Sequence, residues 1–307
     1  MSFWKDFLKY QKGKGKNVNE LSREYINTIK IMTWNVLAPK ATKYQSVEHK
    51  YHPQSVKGLS EHIEQTIRRY ELIYQEIVKK DMDIICLQEV DSNLFAYMKK
   101  HLKDEYQIIF YPVFDNNSNN QSFSFGTAVL FRIKRFQIKK KNEINSKTNK
   151  YQWKNSTIVL LKDKKTDKLF YVVSIHMSGS KPEKNIELIG DTIKKMKKDI
   201  PFIIAGDFNC RYLLADCLFK YEKFSELKTF KFKKNDISTC SFDYDTKYKE
   251  SLIDGVFFSE NFNGINYKIG KHSCDKKLYK ETKNNSYSDV VFGSDHFWIK
   301  GLLELKN

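Results

Sequence analysis

Six short apolar segments of this chain run directly into a polar or ionisable residue, and that repeated junction restricts the fold more than any other feature. Ile31-Met32-Thr33-Trp34 ends in Asn35, and Ile84-Ile85-Cys86-Leu87-Gln88 ends in Glu89. Tyr171-Val172-Val173-Ser174-Ile175 ends in His176, and Phe202-Ile203-Ile204-Ala205-Gly206 ends in Asp207, with Asn209 two residues on. Leu252-Ile253 leads to Asp254, and Gly293-Ser294 leads to Asp295 and His296 ahead of Phe297-Trp298-Ile299. Short runs rich in Ile, Val and Phe read as buried strands. An ionisable group at the mouth of a buried strand is costly unless it is paired or bound to a metal. One such residue is ordinarily a turn or cap. Six together imply one shared polar site in which the groups satisfy each other.

The rest of the pattern supplies the frame. Strands are expected at Lys30–Asn35, Ile84–Gln88, Gln107–Tyr111, Thr127–Phe131, Ile158–Leu161, Phe170–His176, Phe202–Ala205, Leu252–Phe258 and Phe297–Leu302. A helix over His62–Lys79 would turn Ile63, Ile67, Tyr70, Tyr74, Ile77 and Val78 inward. A shorter helix after Asp91 or Ser92 would bury Phe95, Met98 and Leu102. A third, over Lys181–Lys198, opens with Pro182 inside a Ser180/Glu183 capping box and turns Ile186, Ile189, Ile193 and Met196 inward. Strands interspersed with helices predict layered sheets covered by helices. Residues 1–27 read as a basic extension, flexible at Lys12-Gly13-Lys14-Gly15-Lys16, and residues 28–307 as one domain.

Composition then limits the function classes. No run of about 18 apolar residues occurs, so no membrane-spanning helix and no membrane partner are expected. The five cysteines are odd in number and form no CxxC pair, which disfavours a disulfide framework or a zinc-cysteine site and fits a reducing, cytoplasmic setting; nuclear and organellar placements stay open. Lysine and arginine total 54 against 37 acidic residues, a net charge of +17 that favours polyanionic partners. The same excess also follows from a Lys-, Asn-, Ile- and Tyr-rich composition, so charge supports nucleic-acid binding without proving it.

Residue types at the strand mouths restrict the chemistry. Asn, Asp and Glu are oxygen ligands suited to Mg²⁺ or Mn²⁺. His176 and His296 add groups that exchange protons near neutrality. A hard cation, carboxylates and two histidines suit phosphate-ester hydrolysis. No Walker-type phosphate loop and no Gly-x-Ser-x-Gly elbow occur.

Trp34-Asn35, Leu87-Gln88-Glu89-Val90, His176, Gly206-Asp207-Phe208-Asn209, Ile253-Asp254 and Ser294-Asp295-His296 stand in the order found in the endonuclease/exonuclease/phosphatase superfamily, and the resemblance spans about residues 28–303. It implies an α/β fold, a four-layer α/β/β/α sandwich with two mixed β-sheets packed face to face. It also implies roles: Glu89, Asn35 and Asp295 as metal-site residues, Asp207 with Asn209 positioning or deprotonating the attacking water, His176 as a phosphate-oxygen donor, and Asp254 orienting His296. Trp34-Asn35-Val36-Leu37-Ala38, Arg69-Tyr70-Glu71-Leu72-Ile73, Phe125-Gly126-Thr127-Ala128-Val129-Leu130-Phe131 and Ile253-Asp254-Gly255-Val256-Phe257-Phe258-Ser259 resemble the deadenylase/nocturnin-like branch. Where that branch places a base-holding aromatic ahead of the Ile-Asp strand, this chain has Lys249 beside Tyr248, which leaves base preference open.

The resemblance implies a Mg²⁺- or Mn²⁺-dependent 3′→5′ exoribonuclease, deadenylase-like, acting on single-stranded RNA as a monomer. Three other readings stay open: a DNA or abasic-site endonuclease, a phosphatase or phosphodiesterase for a small phosphorylated molecule such as a 2′,5′-oligoadenylate, a dinucleotide or an inositol phosphate, and a non-catalytic RNA-binding protein. Tyr212, Phe242, Tyr244 and Tyr248 are candidate base platforms. Arg132, Lys181 and Arg211 are candidate phosphate contacts.

Overall fold

The computed structural model describes residues 27–36, 59–113, 125–145, 155–177, 196–197, 199–209, 227–233, 239–242, 248–270, 296 and 298–306. Within them, the chain builds two six-stranded mixed sheets. The first has the order β13-β14-β1-β2-β4-β3, from Phe262–Ile269, Ile299–Leu305, Thr28–Asn35, Ile84–Asp91, Phe125–Arg132 and Tyr106–Val113. The second has the order β5-β6-β7-β8-β12-β9, from Phe136–Asn145, Asn155–Asp163, Leu169–His176, Phe202–Asp207, Asp254–Phe258 and Lys228–Thr229. A two-stranded ribbon, β10 (Thr239–Phe242) and β11 (Tyr248–Ser251), stands apart. Every expected strand is present, shifted at its ends by a few residues.

Each sheet has a parallel pair at its centre, β1 with β2 and β7 with β8. A parallel pair needs a crossover of a dozen or more residues. Between β1 and β2 that crossover holds helix α1, Leu59–Lys80. Between β7 and β8 lies the segment expected to form a helix over 181–198. Most of it falls outside the described residues. Met196 is buried as expected, but in a bend rather than in a helix.

Three apolar layers hold the sandwich. Ile31, Cys86, Val129, Val172, Ile203, Val256 and Ile299 meet between the sheets. Met32, Trp34, Ile85, Leu87, Val90 and Leu130 face α1 and α2 (Ser92–Leu102) on the outer side of the first sheet. Ile158, Tyr171, Val173, Ile175, Ile204 and Phe257 form the third layer, outside the second sheet. The central strands are thus buried on both faces, which is why their sequences are continuous apolar runs. Each fully buried Ile, Leu or Phe contributes about 1.5–3 kcal/mol.

Asp91 ends β2 and caps α2, its carboxylate accepting from the backbone of Asn93 and Leu94 and from the Tyr70 hydroxyl. On α2, Leu94, Met98 and Leu102 are buried, while Phe95 packs partly exposed on Phe110. On α1 the buried seam is Tyr70, Ile73 and Ile77; Ile67 is 54% and Val78 45% exposed. With 3.6 residues per turn, both lie roughly a quarter turn off that seam, so the inward face is narrower than the sequence pattern suggests. Among the described residues no helix is long and apolar enough to cross a membrane.

Gly206, one residue before Asp207, lies where β7 and β8 approach closely: a Cβ added there would stand 1.9 Å from the Ile175 carbonyl oxygen. Gly206→Ala is expected to destabilise the protein by about 1–3 kcal/mol or more and to displace Asp207. Urea denaturation tests this, and an unchanged midpoint would show that the two strands do not close as described.

Candidate active site

The parallel pairs carry their C-terminal ends to the same edge of the sandwich. Asn35 ends β1 opposite Gln88, and His176 ends β7 opposite Asp207 at the end of β8. β12 runs antiparallel to β8, so its first residue, Asp254, also pairs with Asp207. Trp34 donates from Nε1 to the His296 carbonyl at 2.9 Å and holds that residue's backbone against β1.

Glu89 reaches this edge through a break in strand alternation. Cys86 faces the second sheet and Leu87 faces α1. Regular alternation would return Gln88 to the inner face and send Glu89 out beneath the helices. A bulge between Leu87 and Val90, with φ of 56° at Glu89, resets the pattern. Val90 keeps the outer face and Glu89 turns toward Asn35. A non-glycine residue held in the left-handed region costs on the order of 1–3 kcal/mol, and such strain clusters at functional sites.

The groups then bond to one another. Asn35 Nδ2 donates to Glu89 Oε1 at 2.9 Å and to Asp207 Oδ2 at 3.0 Å, joining the two sheets. His176 Nε2 lies 3.6 Å from Glu89 Oε1 and 3.8 Å from Asp207 Oδ2. His296 places Nδ1 2.9 Å from Asp254 Oδ2 and Nε2 3.6 Å from Asp207 Oδ2. Asn209, at φ 49°, donates from its backbone to Asp207 Oδ1 and from Nδ2 to the Met177 carbonyl. Burial, reinforced by the nearby Asp254 charge, pushes the Asp207 carboxyl up to about 6; both histidines and the Asn35 hydrogen bond act in the opposite direction.

Two groups of side chains could hold a cation. Asp207, Asp254 and His296 offer ligand atoms within 4.8 Å of one another. Asp254 and His296 already satisfy each other, however, and a cation among them would displace that hydrogen bond. Glu89 keeps 13% of its side chain exposed, and Asn35 commits its amide nitrogen to carboxylates, which makes the carbonyl oxygen its ligand-type atom. Glu89 with Asn35 is the better fit to a hard divalent cation.

Not every sequence candidate converges here. Asp295, Lys181, Arg211, Tyr212 and Tyr244 lie outside the described residues. Tyr248 pairs in register with Phe242 across the β10–β11 ribbon; their side chains lie outside the description. Arg132 is at the opposite end of β4 from the site. Its guanidinium pairs with Asp81 and Glu105 and stacks on the Tyr106 ring, so it is engaged in structural contacts rather than brought to the phosphate position. The sequence reading gave no role to Thr33, Gln88 and Ser174, which form a buried hydrogen-bonded group directly beneath the site. Their signal was spacing: Thr33 and Ser174 each stand two residues before a site residue.

The family model for "Endonuclease/Exonuclease/phosphatase family" matches residues 32–296. No curated protein matches the sequence. Among solved structures, the human Nocturnin catalytic domain with bound sulfate is 17% identical with a TM-score of 0.64, covering 91% of this chain and 94% of its own. ANGEL2, described as a 2′,3′-cyclic phosphatase and bound to adenosine-2′,3′-vanadate, is 14% identical with a TM-score of 0.66, covering 91% and 96%. D. rerio TDP2 with a single-strand DNA product is 15% identical with a TM-score of 0.61, covering 91% and 99%. At these identities the likeness establishes the shared fold.

Asp207→Asn is expected to lower turnover by about 10²–10⁴-fold. A carboxyl raised from 3.8 to about 6 costs stability that builds between those two values and is complete above about 6. The variant's thermal midpoint relative to wild type, measured without metal, should therefore be higher at pH 8 than at pH 4, on top of a fixed loss because asparagine offers one acceptor where Asp207 accepts from both Asn35 and Asn209. An offset from wild type that does not change between pH 4 and pH 8 would refute the burial cost.

Proposed function

This chain belongs to the endonuclease/exonuclease/phosphatase family, hydrolases of phosphoester bonds that are generally dependent on a divalent metal, and on that premise we propose that it is a Mg²⁺-dependent 3′→5′ exoribonuclease acting on single-stranded RNA. The carrying observation is the convergence of Asn35, Glu89, His176, Asp207, Asp254 and His296 from both sheets, with successive contacts of 3.8 Å or less. The net charge of +17 suits any polyanion, and the deadenylase-like motifs favour RNA. ANGEL2 bound to adenosine-2′,3′-vanadate and TDP2 bound to a single-strand DNA product support a nucleotide or strand as the ligand of this fold.

Glu89 and the Asn35 carbonyl oxygen would hold the cation. The chemistry it supplies when bound is neutralisation of phosphoryl charge and activation of water. Asp207, with its raised pKa and fixed by Asn35 and Asn209, accepts the proton of the attacking water. The water oxygen bonds to phosphorus as the bond to the 3′ oxygen breaks; that oxygen takes a proton from solvent and stays as the 3′-hydroxyl of the shortened strand, and a 5′-mononucleotide is released. Asp254 fixes the His296 ring through Nδ1, so that Nε2 faces the reaction centre beside Asp207. His176 Nε2 serves as the second donor to phosphoryl oxygens.

End-labelled poly(A), mixed-sequence RNA, single-stranded DNA and an abasic duplex, each with and without Mg²⁺, test the reading alongside Glu89→Ala. A Mg²⁺-dependent RNA ladder lost in Glu89→Ala is expected, and the poly(A)-to-mixed ratio reads base preference. Faster incision of the abasic duplex would move the protein to the endonuclease reading. No cleavage of any polymer would sink the nuclease reading and direct the assay to small phosphorylated molecules, with released phosphate or mononucleotide as readout.

A further inference from the structure

We propose that Gln88 is a positioning residue for the metal-site carboxylate: its side-chain amide locks the first sheet to the second directly beneath Glu89, and the Thr33 and Ser174 hydroxyls are its partners. This rests on Glu89 holding the cation and is independent of the choice of RNA as substrate.

Gln88 Nε2 donates to Ser174 Oγ at 3.0 Å, across the sandwich on β7, and to Thr33 Oγ1 at 3.2 Å, on the neighbouring strand β1. Ser174 Oγ spends its own hydrogen on the Leu87 carbonyl at 2.9 Å, so it can only accept from Gln88. With the serine hydrogen so placed, the amide is oriented with Nε2 toward both hydroxyls. Both amide hydrogens and the serine hydrogen are thereby committed, and two of these bonds join β2 to β7.

All three side chains are fully buried, at 0% exposure, and a second buried polar pair, Thr127 with Thr157, also links the sheets. A two-sheet core needs no such group, since apolar side chains of similar shape fill the same space without desolvating an amide and two hydroxyls. Their placement gives the reason. Strand residues two apart share a face, and Thr33 precedes Asn35 by two, as Ser174 precedes His176 by two. Gln88 stands next to Glu89, on the inner side of the bulge that aims it. Each member of the buried group is the immediate support of one member of the catalytic layer.

Glu89 is the residue that most needs support, because its backbone is held in the left-handed region and reverts to regular alternation if the bulge relaxes. Two directional bonds from Gln88 fix the residue before the bulge against both sheets. Partners of this outer kind are worth about 10–100-fold in metal affinity.

Calorimetric titration of the purified, metal-free protein with Mn²⁺ tests this without relying on turnover, comparing wild type, Glu89→Ala, Gln88→Met and Ser174→Ala. Methionine matches glutamine in length and introduces no charge. The expected result is loss of Mn²⁺ binding in Glu89→Ala and a 10–100-fold weakening in Gln88→Met, with thermal midpoint and near-ultraviolet circular dichroism close to wild type. Ser174→Ala should weaken binding in the same direction, and Gln88→Met/Ser174→Ala no further than Gln88→Met. If Gln88→Met does not fold, Ser174→Ala, which removes one oxygen, decides. Wild-type Mn²⁺ affinity in the folded variants, with Glu89→Ala defective, overturns the Gln88 role alone. Equal binding by wild type and Glu89→Ala overturns the Glu89 assignment and the Gln88 role with it.

Discussion

One side-chain amide connects the two halves of this molecule at the point where its chemistry is assembled. Asn35 Nδ2 donates one hydrogen to Glu89 on its own sheet and the other to Asp207 on the facing sheet. Hydrogen bonds to carboxylates tolerate little stretching, so these two contacts set the spacing of the strand ends to within a few tenths of an ångström. The apolar layer between the sheets brings them together without direction, since burial is not directional. Polar contacts supply the register: Asn35 at the mouth, Gln88 and Ser174 one layer below, and, at the far end, Arg135 pairing with Asp83, just before β2 of the first sheet, and with Asp163 on β6 of the second.

The same division of labour explains how the site is placed on the chain. A parallel pair sends two C-terminal ends to one edge, and here two such pairs face each other. Asn35, His176 and Asp207 reach that edge with no distortion, as the last residues of their strands. Glu89 does not, because β2 continues past it to Asp91, which must cap α2. A regular strand could present either Gln88 or Glu89 to the interior, but not both. The bulge lets Gln88 brace the core while Glu89 faces the site, and its cost in backbone strain is the condition for having both.

This logic decides what could be read from the sequence. Central strands are buried on both faces, so they appeared as unbroken apolar runs whose polar ends marked the site. Of the edge strands, β3 was expected, but β5 and β13 were missed. β5 carries Lys139, Lys140 and Lys141 through a bulge, and β13 carries an Asn-Gly pair and exposed positions, as strands with one bonded neighbour commonly do. Both lack the apolar continuity that identified the others. On α1 the apolar residues Ile67 and Val78 widened the apparent inward face, because a sequence pattern cannot show where the packing partner ends. Arg132 looked like a phosphate contact by charge alone, whereas its acidic partners Asp81 and Glu105 are brought to it only by the folded turns. The inner group of Thr33, Gln88 and Ser174 is three unremarkable polar residues in sequence and becomes a unit only when the sheets face each other.

Charge shows why the donor set calls for a cation. The chain is basic overall, yet its catalytic edge gathers Glu89, Asp207 and Asp254. A phosphodiester drawn in by the +17 field would meet carboxylates at the reaction centre. The Asn35 amide and two imidazoles offset part of that negative charge, but burial still holds Asp207 near 6, a sign that it lacks full compensation. A divalent cation held by Glu89 and Asn35 would supply positive charge at this edge. Such a charge would also favour the ionised form of Asp207. Under the proposed function, the acidic edge of a basic protein would combine long-range attraction of a polyanion with a short-range need for a cation.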